Sequence, residues 1–229
     1  MPWLKKGWYL PEGPSTDVVA SMEDVSDGYH RPYDAQRPVV CMDEASKQLV
    51  AEVREPLPTK PGSLAKCDLE YERRGTTNLF MAVEPRAGER TVRVTDRRTK
   101  VDWAQFVKSL LLTVYPEAAT VVLVRDNLHM HSIGSLYEAF APEIARAWAA
   151  RLEIHHTPQH GSWLNMAETE LCILSRQCLD RRIESKVLLI NKVAAWELAR
   201  NTRKCKIDWQ FSTADARVKL RRLDPSIEA

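Results

Sequence analysis

Three acidic residues stand where chemistry could be built. Asp43 falls near the end of the β-branched run PVVCMDE (38–44), Asp126 near the end of TVVLVRDN, and Glu168 opens the helical pattern after HGSWLNM. In open α/β sheets, ligands collect beyond the carboxyl ends of the strands. Asp43 and Asp126 project there if their strands are parallel neighbours, and a helix packed alongside brings in Glu168. Carboxylates gathered in this way repel unless a cation lies between them. Hard divalent cations such as Mg2+ take oxygen ligands and keep several waters. Two such ions ~3.5–4 Å apart clamp the attacking and leaving oxygens of a phosphodiester displacement. In that arrangement Asp43 bridges both ions, and Asp126 and Glu168 take one each.

Each acid also has a plainer reading. Asp43 is equally a strand-end turn former, with Glu44 beside it as a competing choice. Asp126-Asn127 is a common turn pair. Asn165-x-x-Glu168 is close to a capping box, with Asn at the N-cap and Glu at the third helical position. Around them, Asn127 either orients Asp126 or serves the turn. His131 steadies a carboxylate, contacts a phosphate, or simply satisfies a hydrogen bond. Trp163 either stacks on a distorted base or anchors its loop in the core. Arg176, Arg181, Arg182 and Lys186 either contact phosphates or solvate a helix end. No H-x-x-x-H helix pattern points to zinc.

The bulk properties suit such a site. The chain has 229 residues, 44% hydrophobic and 28% charged, which is ordinary globular material for one large domain. Its five cysteines form no C-x-x-C pair, so neither a zinc ribbon nor a dithiol motif is indicated. No apolar run approaches the ~20 residues of a membrane span, and MPWLKKGWYLPEG lacks the apolar core of a signal peptide. The expected compartment is the cytoplasm. Residues 169–229 carry 13 Lys/Arg against 8 Asp/Glu, while residues 1–168 carry 20 against 23. An acidic body with a basic C-terminal arm fits a polyanionic partner; solvated helix faces give the same balance.

The elements that must position the acids can be read in outline. Residues 1–38 read as an extended lead-in with one short helix at Thr16–Val25, capped by Thr16 or Asp17. Strands are expected at 38–44, 47–53, 78–85, 90–96, 120–127 and 153–158. The second pairs as a hairpin with the first or its neighbour, and residues 55–76 form a long Pro-rich loop. The turn RAGE joins the strands at 78–85 and 90–96. Asp102 caps a helix that Pro116 stops. SLYEAF and PEIARAWAARL are helical. A helix over 165–182 buries Ala167, Leu171, Leu174 and Cys178, and one over 186–203 has its apolar face at Val187, Ile190, Ala194 and Leu198. The result is an α/β protein, a mixed sheet with helices on both faces, in RNase H-like outline. Residues 39–207 form its catalytic body and 208–229 a basic tail.

Taken together, VVCMDE, VLVRDNLHMH and TPQHGSWLNMAETELCILSRQCLDRRI resemble the catalytic blocks of DDE transposases. The likeness is to the bacterial insertion-sequence branch of the mariner superfamily. MEDVSDGYHRPYDAQRPVV, RRGTTNLFMAVEP and DWQFSTADARVKLRRL extend it over nearly the whole chain. The resemblance implies an RNase H-like domain that uses two Mg2+ ions, or Mn2+, and performs cut-and-paste transposition of double-stranded DNA, usually into TA targets. A homodimer synapsing two DNA ends is expected by analogy, acting at the nucleoid. The family acids fall on Asp43, Asp126 (in D-N-x-x-x-H, ending at His131) and Glu168 (in L-N-x-x-E). Two features depart from the family. Asp126 and Glu168 are 41 residues apart, longer than the mariner type, which an inserted helical segment explains. The helix-turn-helix modules that usually precede the catalytic domain are not legible in residues 1–38. A truncated element, a fragment or a split reading frame would account for that. The alternative function is a non-catalytic DNA-binding or regulatory fragment.

Overall fold

The computed structural model describes residues 15–66, 68–126, 131–158, 161–219 and 221. Of the expected site residues, Asn127 lies outside them. One sheet organises the chain, in the order β3-β2-β1-β4-β5. Its strands are β1 (Val39–Glu52), β2 (Tyr71–Glu84), β3 (Glu89–Thr95), β4 (Val121–Arg125) and β5 (Leu152–His156). The first three are antiparallel neighbours; β4 joins β1, and β5 joins β4, in parallel. The helices are α1 (Thr16–His30), α2 (Lys100–Ser109), α3 (Gly134–Ala139), α4 (Pro142–Ala149), α5 (Met166–Leu174), α6 (Lys186–Thr202) and α7 (Thr213–Lys219).

Side chains alternate across the sheet with period two, and both faces are apolar. Val40, Met42, Phe80, Ala82, Val121 and Leu123 pack beneath Trp103, Phe106 and Val107 of α2, with Leu136 of α3 and Ala145 of α4. On the opposite face, Cys41, Val83 and Val124 meet Met22, Val25 and Tyr29 of α1 and the start of α5. Leu79 and Met81 there meet Leu174, Leu189, Val193 and Trp196. The expected mixed sheet covered on both faces is what forms.

Several elements differ from their sequence reading. The two strands expected at 38–44 and 47–53 are one, β1. No Gly, Pro or Asn lies between them, and pairing with β2 runs unbroken from Cys41 to Gln48 before a slip at Val50. β2 begins at Tyr71 and so takes residues 71–76 from the expected loop. The β2–β3 turn does fall at 85–88. Gly88 has φ +72°, and a Cβ there would come within 2.6 Å of the Lys204 carbonyl carbon, so no other residue fits well. Thr99, not Asp102, caps α2. Asp102 is the reciprocal partner: Thr99 Oγ1 accepts from the Asp102 N–H, and Asp102 Oδ2 accepts from the Thr99 N–H at 2.9 Å.

α1 runs five residues past Val25 and belongs to the core rather than to a lead-in, with Ser15 at its N-cap. The expected tail is not one either. Trp209 and Phe211 pack on the α1 cluster, Ala216 is fully buried, and α7 is tied to α1 by Thr213 Oγ1–Asp27 Oδ1 (2.8 Å) and Arg217–Glu23 (2.6 Å). In α6 the buried stripe is Leu189, Val193 and Trp196, whereas Val187 and Leu198 are about 70% exposed. Both stripes are apolar. The one chosen buries an indole whose Nε1–H donates to Gln177 (2.9 Å), and it lets Glu197 accept the Val92 N–H (3.1 Å).

α5 is fixed by charge as well as by packing. Glu170 is fully buried and accepts two bonds from Arg90 (Nε 3.0 Å, Nη2 2.8 Å) and one from Arg200 (2.6 Å). Arg90, also buried, donates further to the carbonyls of Gly88 and Cys205. Removing one partner of such a pair strands a buried charge. Glu170→Ala is therefore expected to lower the urea unfolding free energy by ~3–5 kcal/mol. Glu168→Ala, two residues away, should leave stability unchanged or raise it, because it removes one of several mutually repelling carboxylates.

Candidate active site

The parallel register of β1 and β4 ends on the pair Met42–Arg125. Asp43 and Asp126 are the next residue on each strand, so the register itself sets them side by side. Burial pushes the Asp43 carboxyl up to about 7, offset in part by the Glu44 N–H that donates to Oδ1 at 2.7 Å. The charges of Asp126, Glu168 and Glu44 act in the same direction as burial. Asp43 thus sits in the field of both other family acids. Glu168 is in the first turn of α5, which packs across β1.

Asn165 ties the three acid-bearing elements together and is itself 1% exposed. Its Oδ1 accepts from the Ala167 N–H (3.1 Å) and so caps α5. Its Nδ2 donates to the Met42 carbonyl on β1 (3.0 Å) and to Asp126 Oδ1 beyond β4 (3.3 Å). Thr157, just past β5, donates to the same Asp126 oxygen at 3.1 Å. The Asn165 backbone N–H goes to the Ser162 carbonyl (2.8 Å), so Glu168 is not spent as the second half of a capping box. Tyr29 of α1 braces the loop from below, donating to the Leu164 carbonyl at 2.7 Å.

Behind Asp43 lies a buried polar pair. His131 Nδ1 is 2.7 Å from Glu44 Oε1, and both side chains are more than nine-tenths buried. The imidazole stacks on Trp103 (centroids 5.9 Å apart, planes within 5°), and the Arg125 guanidinium lies 5.6 Å from the same indole. His131 therefore meets a carboxylate, but it is that of Glu44, not one of the three acids. Among the expected DNA-contacting residues, Trp163 stacks against Trp209 (6.5 Å, 21°) and meets the edge of Phe211 (5.4 Å) while staying 38% exposed. Arg176 and Arg181 are exposed. Arg182 is held by Glu52, by the carbonyls of Asp68 and Glu70 and over Tyr71, so it fixes the 53–70 loop. Lys186 pairs with Asp96 (2.6 Å).

The residues that sequence reading missed are Thr157, Trp103, Arg125 and the second half of Asn165's bonding. Only Glu44 carried a signal, as the acid next to Asp43. Carboxylate oxygens are the hard donors that a divalent cation takes; the Asp43 carboxyl is raised chiefly by burial and further by its acidic neighbours. Among the described residues no group of three His, Cys, Asp or Glu side chains stands close enough to hold a metal ion.

The architecture is RNase H-like, and its solved counterparts bear this out. The Mos1 mariner paired-end complex with Mn matches at 15% identity and a TM-score of 0.57, covering 88% of this chain and 62% of that one. The Mos1 strand transfer complex matches at 15% identity and 0.58, with the same coverage. The Mos1 paired-end complex with Mg matches at 16% identity and 0.56, covering 97% of this chain and 67% of that one. The chain spans about three fifths of the length of the first two. No curated protein sequence matches it. Residues 38–190, two thirds of the chain, match the family described as DDE superfamily endonuclease, and the chain belongs to that family. Among the described residues no helix is long and apolar enough to cross a membrane.

The state of Asp43 has a consequence for stability. Its carboxyl titrates near 7 in the fold against an ordinary value of 3.8. Between those values the native protein holds a proton that the unfolded chain has released. Stability of the metal-free protein should then fall as pH rises from about 4 to about 7 and level off above. Asp43→Asn is expected to raise the unfolding free energy by about 2 kcal/mol at pH 8, a figure discounted for residual exposure, and by little at pH 4. Denaturation of both proteins in EDTA at the two pH values checks this.

Proposed function

We propose that this chain is the catalytic part of a DNA transposase of the bacterial insertion-sequence branch of the mariner superfamily. It would cut element ends and join the 3′-hydroxyl to TA-containing double-stranded target DNA, as a dimer on the nucleoid. The observation that carries the reading is the parallel register that sets Asp43 beside Asp126, with Asp43 feeling the charges of Asp126 and Glu168, in a chain of the DDE endonuclease family. The Mos1 counterparts are paired-end and strand-transfer complexes, which supports DNA as the partner.

Asp43, Asp126 and Glu168 would hold two Mg2+ ions, or Mn2+, which when bound supply an activated oxygen nucleophile and a stabilised leaving oxygen. The chain's own part is placement. Asn165 and Thr157 fix Asp126 by one oxygen, and the Glu44 N–H fixes Asp43. The Glu44–His131 pair braces β1 on the face opposite to Asp43. Arg176 and Arg181, exposed beyond α5, are the cations best placed to meet phosphates. The catalytic body runs from α1 to α7, so the lead-in and tail boundaries move outward. The alternative reading is a non-catalytic DNA-binding or regulatory protein.

The two readings part on plasmid nicking with Mg2+ or Mn2+. The proposal expects metal-dependent cleavage that Asp126→Asn and Glu168→Gln abolish while circular dichroism and melting stay native. Cleavage that survives either substitution, or its absence from the unaltered protein with both metals, refutes the catalytic assignment. His131→Ala should slow cleavage without shifting the metal concentration at half-maximal rate; loss of metal response instead would make it a ligand.

A further inference from the structure

A cavity of about 580 Å³ opens at the end of the sheet where β1 begins, between the end of α1, the β2–β3 turn and the segment that follows α6. Val39 lines it, and Asp43 lies four residues further along the same strand, about 13 Å at ~3.3 Å per residue. Met166, at the start of α5, also lines it, but none of the three acids does, so it neighbours the carboxylate site without including it. Its size is that of a small-molecule pocket, of the order of 300–1,000 Å³.

Its walls carry unmet hydrogen-bonding capacity of both signs. Glu84 is 5% exposed; the Tyr33 and Tyr115 hydroxyls donate to its carboxylate, while its Oε1 is buried with no partner among the described residues. Trp209, another lining residue, has a buried Nε1–H in the same condition. Buried polar atoms are nearly always bonded, so an orphan acceptor and an orphan donor on the wall of one cavity call for a ligand that offers both. The mouth has the opposite character. Tyr33 presents its ring there, 56% exposed. Arg86 donates to the Tyr29 carbonyl (3.0 Å), a neutral partner that leaves its charge uncompensated among the described residues, and Lys206 is exposed. Arg31 and Arg37 share one carboxylate, Glu153, and Lys204 pairs with Glu89.

A fitting ligand must be flat, carry N–H donors and a lone-pair acceptor on its inner edge, and hold negative charge at its outer end. Asp34 and Asp208 also line the cavity, accepting from the Gln36 N–H and from Gln210, but Arg31, Arg37, Arg86, Lys204 and Lys206 outnumber its carboxylates, so a simple anion fails at Glu84 and an amine at the mouth. We propose that this cavity is a nucleotide site: Glu84 and Trp209 read the edge of the base, Tyr33 covers its face, and Arg86 with Lys206 take the phosphate. Free mononucleotides and an extrahelical nucleotide of a DNA strand share this chemistry.

The test is calorimetric titration of the full chain, in EDTA so that no metal at the carboxylate site can hold a phosphate. The probes are the four deoxynucleoside monophosphates, inorganic phosphate, a paired duplex, and the same duplex with one unpaired nucleotide. Saturable binding of a monophosphate identifies a free nucleotide site. Preference for the bulged over the paired duplex, without monophosphate binding, identifies an extrahelical unit. In either case Arg86→Glu with Lys206→Glu, both at exposed positions, should weaken binding at least tenfold, Glu84→Gln should change the ranking of the bases, and Asp126→Asn should bind unchanged. Inorganic phosphate binding as tightly as the nucleotides, no response to the Arg86/Lys206 variant, or no binding beyond that of the paired duplex overturns the proposal. Because Asp126→Asn retains this site, its failure and the failure of the nuclease assignment are told apart.

Discussion

Three acid-bearing elements are joined by one buried amide. Asn165 bonds at once to the strand bearing Asp43, to Asp126 itself, and to the first turn of the helix bearing Glu168. Each contact is ordinary. Their convergence on a single side chain is what converts three separately folded elements into one site. Repulsion among the acids pushes these elements apart. A neutral donor that bridges two of them, while capping the third, opposes that force without adding charge. An Asp at this position would keep the cap but lose both donated bonds and add a fourth like charge.

Two acids in the first two turns of α5 show how burial assigns opposite roles to the same chemistry. Glu170 is enclosed by two guanidinium groups and sealed from water, so it anchors the helix to β3 and α6. Glu168 is exposed, and its like charge opposes the ionisation of Asp43. The pairing of Glu170 fixes the rotation of α5, and so the position of Glu168 in its first turn, through a salt bridge that Glu168 does not join. Buried pairs contribute little net stability but fix geometry when one partner is already placed.

Much of this was legible from residue order. The β-branched runs at 39–44 and 121–125 marked two buried strands. Period two gave the strands, and Pro116 and Gly88 marked a helix end and a turn through local sterics. What failed had a common cause. The continuity of β1 through Ala45 and Ser46 depends on a partner strand dozens of residues away. The buried face of α6 was a choice between two apolar stripes, decided by Gln177 and Val92 on other elements. The attachment of 208–219 to α1 rests on Asp27 and Glu23. Thr157 and Trp103 entered the site for the same reason: their roles exist only across long sequence separations, and nothing in their neighbourhoods marks them.

The sheet also explains why the polar pair behind Asp43 can exist at all. Alternation along β1 sends Asp43 and Glu44 to opposite faces. Asp43 faces the α5 side, with the other acids. Glu44 faces the α2 side, which is otherwise apolar and closed by Trp103 and Phe106. A carboxylate there needs a partner, and His131 supplies it while stacking on the indole. The pKa of Arg125, on the neighbouring strand, is lowered by burial, and the Glu44 charge offsets part of that. The result is a strand end gripped on both faces by hydrogen bonds, Asn165 on one and His131 on the other. A backbone held in that way can present Asp43 at a fixed position even while that residue's charge is opposed by its neighbours, which is the condition a metal-binding carboxylate must satisfy before the metal arrives.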